Sequence, residues 1–130
     1  MATARSRAAG DTDPGLQREQ NEDRFFFDEA KGVYCVIDGV GGHNAGERAA
    51  AIAADVLRAS MERTSEADLR DAFARASDAI YEAASRDPAL AGMACVVSLA
   101  AISNGRVRFA HVGDTRLYNC LLYTSPSPRD

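Results

Sequence analysis

Apolar positions along the chain change their period several times, and each change marks a predicted element. Arg24 to Phe27 is a short aromatic run with the composition of a strand. Lys31-Gly32 marks a turn, after which Val33-Tyr34-Cys35-Val36-Ile37 is continuously apolar up to Asp38. A β-branched run of that length predicts a strand buried on both faces, with a carboxylate at its end. Asn44 and Glu47 have capping-box spacing, and Ala49, Ile52, Ala53, Val56 and Leu57 then fall on one helical face. A second helix is expected from near Ser65, with Asp68 three residues on. Its stripe is Leu69, Phe73, Ala76, Ile80 and Ala84, and Asp87-Pro88 ends it. Cys95 to Ile102 reads as another apolar strand, Asn104-Gly105 as a two-residue hairpin turn, and Arg106 to Val112 as the returning partner. After a break at Gly113-Asp114, extended structure is expected to resume over Thr115 to Tyr118.

The order strand, strand, helix, helix, strand, strand predicts an α+β domain in which an antiparallel sheet is layered with helices. Both helical stripes read as ordinary core faces. Residues 1–13 are small and polar without periodicity, which predicts a loose arm, so the domain is expected to occupy 14–119. The stretch from Cys120 to Asp130 breaks abruptly from the strand pattern and resembles a translated sequencing adapter. On that reading the natural chain was cut near Asn119; the alternative is a genuine Pro-rich tail.

Composition changes the picture mainly by exclusion. With 130 residues, 46% hydrophobic and 26% charged, the chain has the profile of one soluble globular domain. A net charge of −4 argues against a protein that lives on nucleic acid or on an anionic membrane. No apolar stretch reaches bilayer-spanning length, and the Arg5 and Arg7 region lacks the apolar run of a secretory signal. The three cysteines, Cys35, Cys95 and Cys120, lack metal-ligand spacing, which points to a reducing compartment and a cytoplasmic protein.

Candidate chemistry gathers in three clusters. Asn21-Glu22-Asp23 precedes a strand, Asp38-Gly39-Val40-Gly41-Gly42-His43 follows one, and His111-Val112-Gly113-Asp114-Thr115-Arg116 ends another. Carboxylates beside a free backbone carbonyl, without Cys/His pairs, suit hard cations such as Mg²⁺ or Mn²⁺. Gly39 fits the carbonyl role because no side chain obstructs it. Two metals sharing a carboxylate could lower the pKa of a bridging water and supply a nucleophile to phosphate. A nearby Arg could grip phosphate oxygens. Each cluster also has a bland reading. Asn21-Glu22-Asp23 could be a solvated turn, Asp114 a turn residue, and Arg116 a solvated or paired strand residue. Gly39 to Gly42 could be a tight turn, and it lacks the Gly-Lys-Ser/Thr ending of a nucleotide loop. His43 could be a helix-entry or core histidine.

Taken in order, the motifs resemble the PPM-type metal-dependent protein phosphatases. Gly15-Leu16-Gln17-Arg18-Glu19-Gln20-Asn21-Glu22-Asp23 is similar to the family's opening motif, Asp38 to His43 to its bacterial metal motif, and Ala110 to Arg116 to its Val-Gly-Asp-Ser-Arg strand. The resemblance runs from about Gly15 to Asn119 and implies an antiparallel β-sandwich flanked by helix pairs, of which this is the first half. It implies that Asp38 bridges two Mn²⁺ or Mg²⁺ ions, with the Gly39 carbonyl on one and Asp23 acting through a bound water. Glu22 would share that shell, Arg18 would contact the substrate phosphate, and Asp114 would serve a third, looser ion. The implied reaction is direct attack of metal-activated water on phosphoserine or phosphothreonine of protein substrates, reversing a cognate serine/threonine kinase. A monomer is expected when complete. Val40 stands where eukaryotic relatives carry a His, Ala94-Cys95-Val96 replaces the usual Gly-Thr-Thr, and the family's later metal aspartates lie beyond this segment. The chain alone is therefore expected to be inactive and aggregation-prone. A catalytically dead regulatory relative that binds a phosphoprotein or kinase is the alternative.

Overall fold

The computed structural model describes residues 6–17, 21–42 and 44–120. Strands β1 (Asp23–Asp28) and β2 (Val33–Val40) are followed by helices α1 (Ala45–Ala59) and α2 (Glu66–Arg86). A 3₁₀ turn over Pro88–Leu90 then leads into β3 (Ala94–Ser103) and β4 (Arg106–Val112). The four strands form one antiparallel sheet in sequential order β1-β2-β3-β4. The β3–β4 hairpin turns at Asn104 and Gly105, both at positive φ (53° and 73°), the pairing an I′-type turn requires.

Period-two alternation decides which face each strand residue joins. Phe26, Val33, Cys35, Ile37, Val97, Leu99 and Ala101 face the helices and are buried with Ala50, Ala53, Leu57, Leu69 and Ala72. Each fully buried branched side chain, such as Ile37, Leu57, Leu99 and Val33, stabilises by about 1.5–3 kcal/mol. The opposite face is open: Val36 is 47% exposed, Val40 54% and Phe109 58%. The expectation that β2 is buried on both faces therefore fails. Among the described residues both helices lie on one side of the sheet, so the apolar run is covered on that side only.

Other departures have local causes. β2 continues past Asp38 to Val40, because Gly39 and Val40 still pair with Cys95 and Ala94. The predicted capping box at Asn44 does not form: Asn44 has φ −92° and ψ 6° and makes no side-chain cap. Glu47 instead meets Arg24 of β1 at 3.5 Å. The buried face of α1 is made of Ala45, Gly46, Ala49, Ala50, Ala53, Ala54 and Leu57, so it is rotated toward the small residues. The box at Ser65 and Asp68 does form. Thr115 to Tyr118 is not a strand; Thr115 turns back so that its hydroxyl meets Ser98 at 2.5 Å.

The segment before β1 touches the open face. Ala8 N–H donates to Glu29 Oε1 at 2.7 Å, Gly10 packs on the Phe25 ring, and the Ser6 and Tyr34 hydroxyls are hydrogen-bonded. The expected tail from Cys120 falls, except for that residue, outside the described residues.

Candidate metal centre at one end of the sheet

All three sequence clusters reach the same end of the sheet. Asp23 opens β1 and pairs with Asp38 of β2, which in turn pairs with Val96 of β3. Val97 pairs with Val112, so the next position along β4, Gly113, comes level with Val96. A Cβ on Gly113 would fall inside the Val96 side chain, and its φ of 95° favours glycine independently. Asp23, Asp38, Val96 and Gly113 thus make one row across the sheet, with Asp114 immediately beyond it. Asp114 is exposed.

The register says more about the two aspartates. Gly39 N–H donates to the Glu22 carbonyl at 3.1 Å, which makes Glu22 and Gly39 a hydrogen-bonded pair. Asp23 and Asp38 are therefore the adjoining non-hydrogen-bonded pair, where opposed side chains come closest, with Cβ atoms about 4.5–5.5 Å apart. Both project to the sheet face away from the helices. Like charges directly opposed across a ladder are destabilising, by a few tenths to about 1 kcal/mol. A divalent cation between or beside them would reverse that sign.

Gly39 and Glu22 serve the helix side. A Cβ on Gly39 would overlap the Gly46 carbonyl and approach the Glu22 carbonyl at 2.9 Å. α1 and β2 meet backbone to backbone at this point. The Glu22 carboxylate rests against Gly46 in the first turn of α1, where a negative charge complements the helix dipole. Glu22 thus sits by the helix terminus while Asp23 and Asp38 share the open face. Arg18 and His43 lie outside the described residues.

Hard oxygen donors at this end match the chemistry of Mn²⁺ or Mg²⁺. Among the described residues, however, no group of three or more His, Cys, Asp or Glu is gathered closely enough to hold an ion. The Asp23–Asp38 pair has the right donors for part of a site.

Residues to which the sequence assigns no individual role in the site complete the setting. Asn21 Oδ1 accepts from Asp23 N–H at 3.0 Å, and its amide donates to the Thr12 hydroxyl at 2.8 Å, so it brackets the entry to β1. The short side-chain-to-backbone offset is the readable sign of such an Asx turn. Cys95 sits behind Asp38: burial raises its thiol pKa, and the Asp38 carboxylate raises it further. Gly46, the partner of Gly39, has no sequence signature, since only the packing reveals it. Ser98 was likewise silent.

Comparison with known proteins identifies the family and the fold. The Protein phosphatase 2C family model matches residues 17–119, and the chain belongs to that family. It is 32% identical over 116 residues to the serine/threonine protein phosphatase PstP of Mycobacterium tuberculosis, covering 86% of this chain and 22% of PstP. The PstP catalytic domain in complex with 2 manganese ions superposes with a TM-score of 0.73 at 28% identity, covering 80% of this chain and 46% of that one. The PPM Ser-Thr phosphatase MsPP from Mycobacterium smegmatis, in complex with cacodylate, gives 0.74 at 26% identity, covering 86% and 47%. The chain therefore spans about a fifth of the curated relative and just under half of these solved domains. The fold is a partial PPM α+β fold, one antiparallel sheet with its helix pair.

Proposed function

We propose that this chain carries the first part of the active site of a protein serine/threonine phosphatase that depends on Mn²⁺ or Mg²⁺. The observation that carries the reading is the Asp23–Asp38 pair, two carboxylates opposed on neighbouring strands in a chain of this family. Asp38, the Gly39 carbonyl and Asp23 would hold the ions, with Glu22 close by and Asp114 at a further position. Bound divalent cations neutralise phosphate charge and lower the pKa of water. Asp38 stands in the row of residues that crosses the sheet, between Asp23 and Val96. Arg18 would grip the phosphate in the bidentate manner guanidinium allows. The substrates are phosphoproteins, the opposing enzyme a serine/threonine kinase, and the compartment the cytoplasm. No described helix is long and apolar enough to cross a membrane.

The full-length protein should release phosphate from a phosphothreonine peptide only with Mn²⁺ or Mg²⁺, and Asp38→Asn should lower that rate at least 100-fold. Full activity in Asp38→Asn, or metal-independent hydrolysis, would overturn the proposal. The 130-residue chain alone should show no Mn²⁺-dependent hydrolysis of p-nitrophenyl phosphate, because the described carboxylates supply only part of an ion site.

A further inference from the structure

The open face holds a hydrogen-bonded relay that the proposed chemistry does not use. Ser98, at 5% exposure, is a buried polar residue on that face of β3. Its hydroxyl lies 2.7 Å from His111 Nδ1 and 2.5 Å from the Thr115 hydroxyl. His111 Nε2 lies 2.7 Å from the Gly113 carbonyl, an obligate acceptor, so Nε2 carries the proton and donates. Nδ1 of the neutral ring is then an acceptor. Both hydroxyls face that acceptor, Ser98 at 2.7 Å and Thr115 at 3.3 Å, and they bond each other. The three side chains thus form one closed cluster that His111 Nε2–H ties to the Gly113 carbonyl.

These bonds close around Asp114. Gly113 and Thr115, its two chain neighbours, are both held by the relay, while Gly113 packs onto Val96, the cross-strand partner of Asp38. We propose that Ser98 and His111 are positioning residues that fix the Gly113–Asp114–Thr115 turn against the metal end of the sheet, so that Asp114 can take a divalent cation. The proposal rests on the reading of Asp114 as an ion ligand given above. In this role neither residue would touch the ion or the substrate. Ser98 is paired with His111 through the β3–β4 register, so the hairpin itself sets the distance.

The test uses the full-length protein and Mn²⁺ alone as the ligand in calorimetry. Ser98→Ala and His111→Phe should each weaken the weakest Mn²⁺-binding step at least tenfold and leave tighter steps within twofold. The Mn²⁺ concentration for half-maximal hydrolysis of p-nitrophenyl phosphate should rise in parallel, with kcat at saturating Mn²⁺ changed less than threefold. Ser98→Thr, which keeps the hydroxyl, should restore the binding step. In ¹⁵N spectra of the wild type, His111 should be the Nε2–H tautomer. A lowered melting temperature with unchanged Mn²⁺ binding would show a purely structural relay and overturn the proposal, as would an Nδ1–H tautomer. Wild-type protein without Mn²⁺-dependent hydrolysis would defeat the phosphatase reading instead, and the calorimetry and tautomer would still judge the relay.

Discussion

α1 and α2 lie side by side on one face of the same sheet, yet they are held in opposite ways. α1 has no side-chain N-cap, and its contacts are tertiary. Gly46 meets Gly39 backbone to backbone, Ala49, Ala50 and Ala53 are fully buried, and Arg58 stacks over Phe26 at 5.2 Å. α2 is supported mostly from within. It has a full capping box and three i,i+4 ion pairs, Glu66–Arg70, Asp71–Arg75 and Glu82–Arg86. Only Leu69, Ala72 and Ala76 of α2 are buried; Phe73, Ile80 and Ala84 line a cavity of about 800 Å³ toward β3 and β4. The helix whose first turn meets Glu22 and Gly39 is thus placed by close backbone contact. The helix behind it keeps its own shape and packs more loosely.

The largest expected effect tests the contact that places α1. Gly39→Ala puts a methyl group onto the Gly46 carbonyl, and backbone cannot yield as a side chain can. Overpacking of this kind costs about 3 kcal/mol or prevents folding. In Gly46→Ala the added methyl overlaps the flexible Glu22 carboxylate, which can move, and reaches the Gly39 backbone only at 3.0 Å, while Ala gains about 0.5–1 kcal/mol of helix preference over Gly. Urea unfolding of the two variants should differ by more than 2 kcal/mol, roughly the difference between those effects. Equal midpoints would mean that the glycine contact does not fix α1.

Next comes the packing of the two helices. Leu57 of α1 is fully buried, and Leu57→Ala should cost about 3 kcal/mol through lost burial and a residual cavity. Ile80 of α2 is only partly buried and borders existing empty space, so Ile80→Ala should cost about 1 kcal/mol. A reversed order in denaturant midpoints would contradict the contrast between the helices.

How much of this was legible in the sequence follows the range of the interactions. Strand and helix identities, the Ser65 cap and the Asn104-Gly105 turn depend on residues within a few positions of one another, and they were readable. The ordered Asp23, Asp38 and Asp114 motifs could be read as one constellation, and the sheet does bring them to one end. What could not be read depends on packing between distant segments. Nothing near Gly46 announces that it must lie against Gly39. The rotated face of α1 follows from that contact, because only small residues such as Gly46, Ala49 and Ala50 fit where the backbones are so close. Asn44 and Glu47 have capping spacing, yet Glu47 pairs with Arg24, a partner on another strand. The open face of β2 was misread for the same reason: an apolar run does not say how many layers will cover it.

Alkaline pH tests the layer beneath α1. Burial chiefly, and then Cys95, push the Cys35 thiol up to about 12, from an ordinary value of 9.0. Between those values the unfolded chain has released the proton while the folded chain retains it. The unfolded state therefore binds fewer protons, and stability falls as pH rises through this window. This group's maximum slope is about 1.4 kcal/mol per pH unit. Cys35→Ala should lower stability at neutral pH but flatten the decline above pH 9.0, as followed by urea midpoints. An unchanged alkaline slope would show that Cys35 is not the titrating group.

The smallest effect isolates the local support of α2. The Ser65 hydroxyl accepts from Asp68 N–H at 3.1 Å and bonds Asp68 Oδ2 at 2.6 Å, while Asp68 Oδ2 also accepts from Ser65 N–H. Ser65→Ala removes the cap and should cost about 1 kcal/mol. The loss should be local, with faster amide exchange at Asp68 and Leu69 and no change at Gly39 or in α1. The hydroxyl and N–H of Ser65 hold the Asp68 carboxyl below its usual value. A carboxylate lowered in this way stabilises above its unfolded pKa and loses that contribution as pH falls through the folded one. The gap between wild type and Ser65→Ala should therefore narrow in acid. Arg70→Ala, which breaks only an exposed ion pair, should shift stability by about 0.5 kcal/mol or less. If Ser65→Ala instead loosened α1 as much as α2, the helices would be one cooperative unit, and their separate modes of support would not be separate energies.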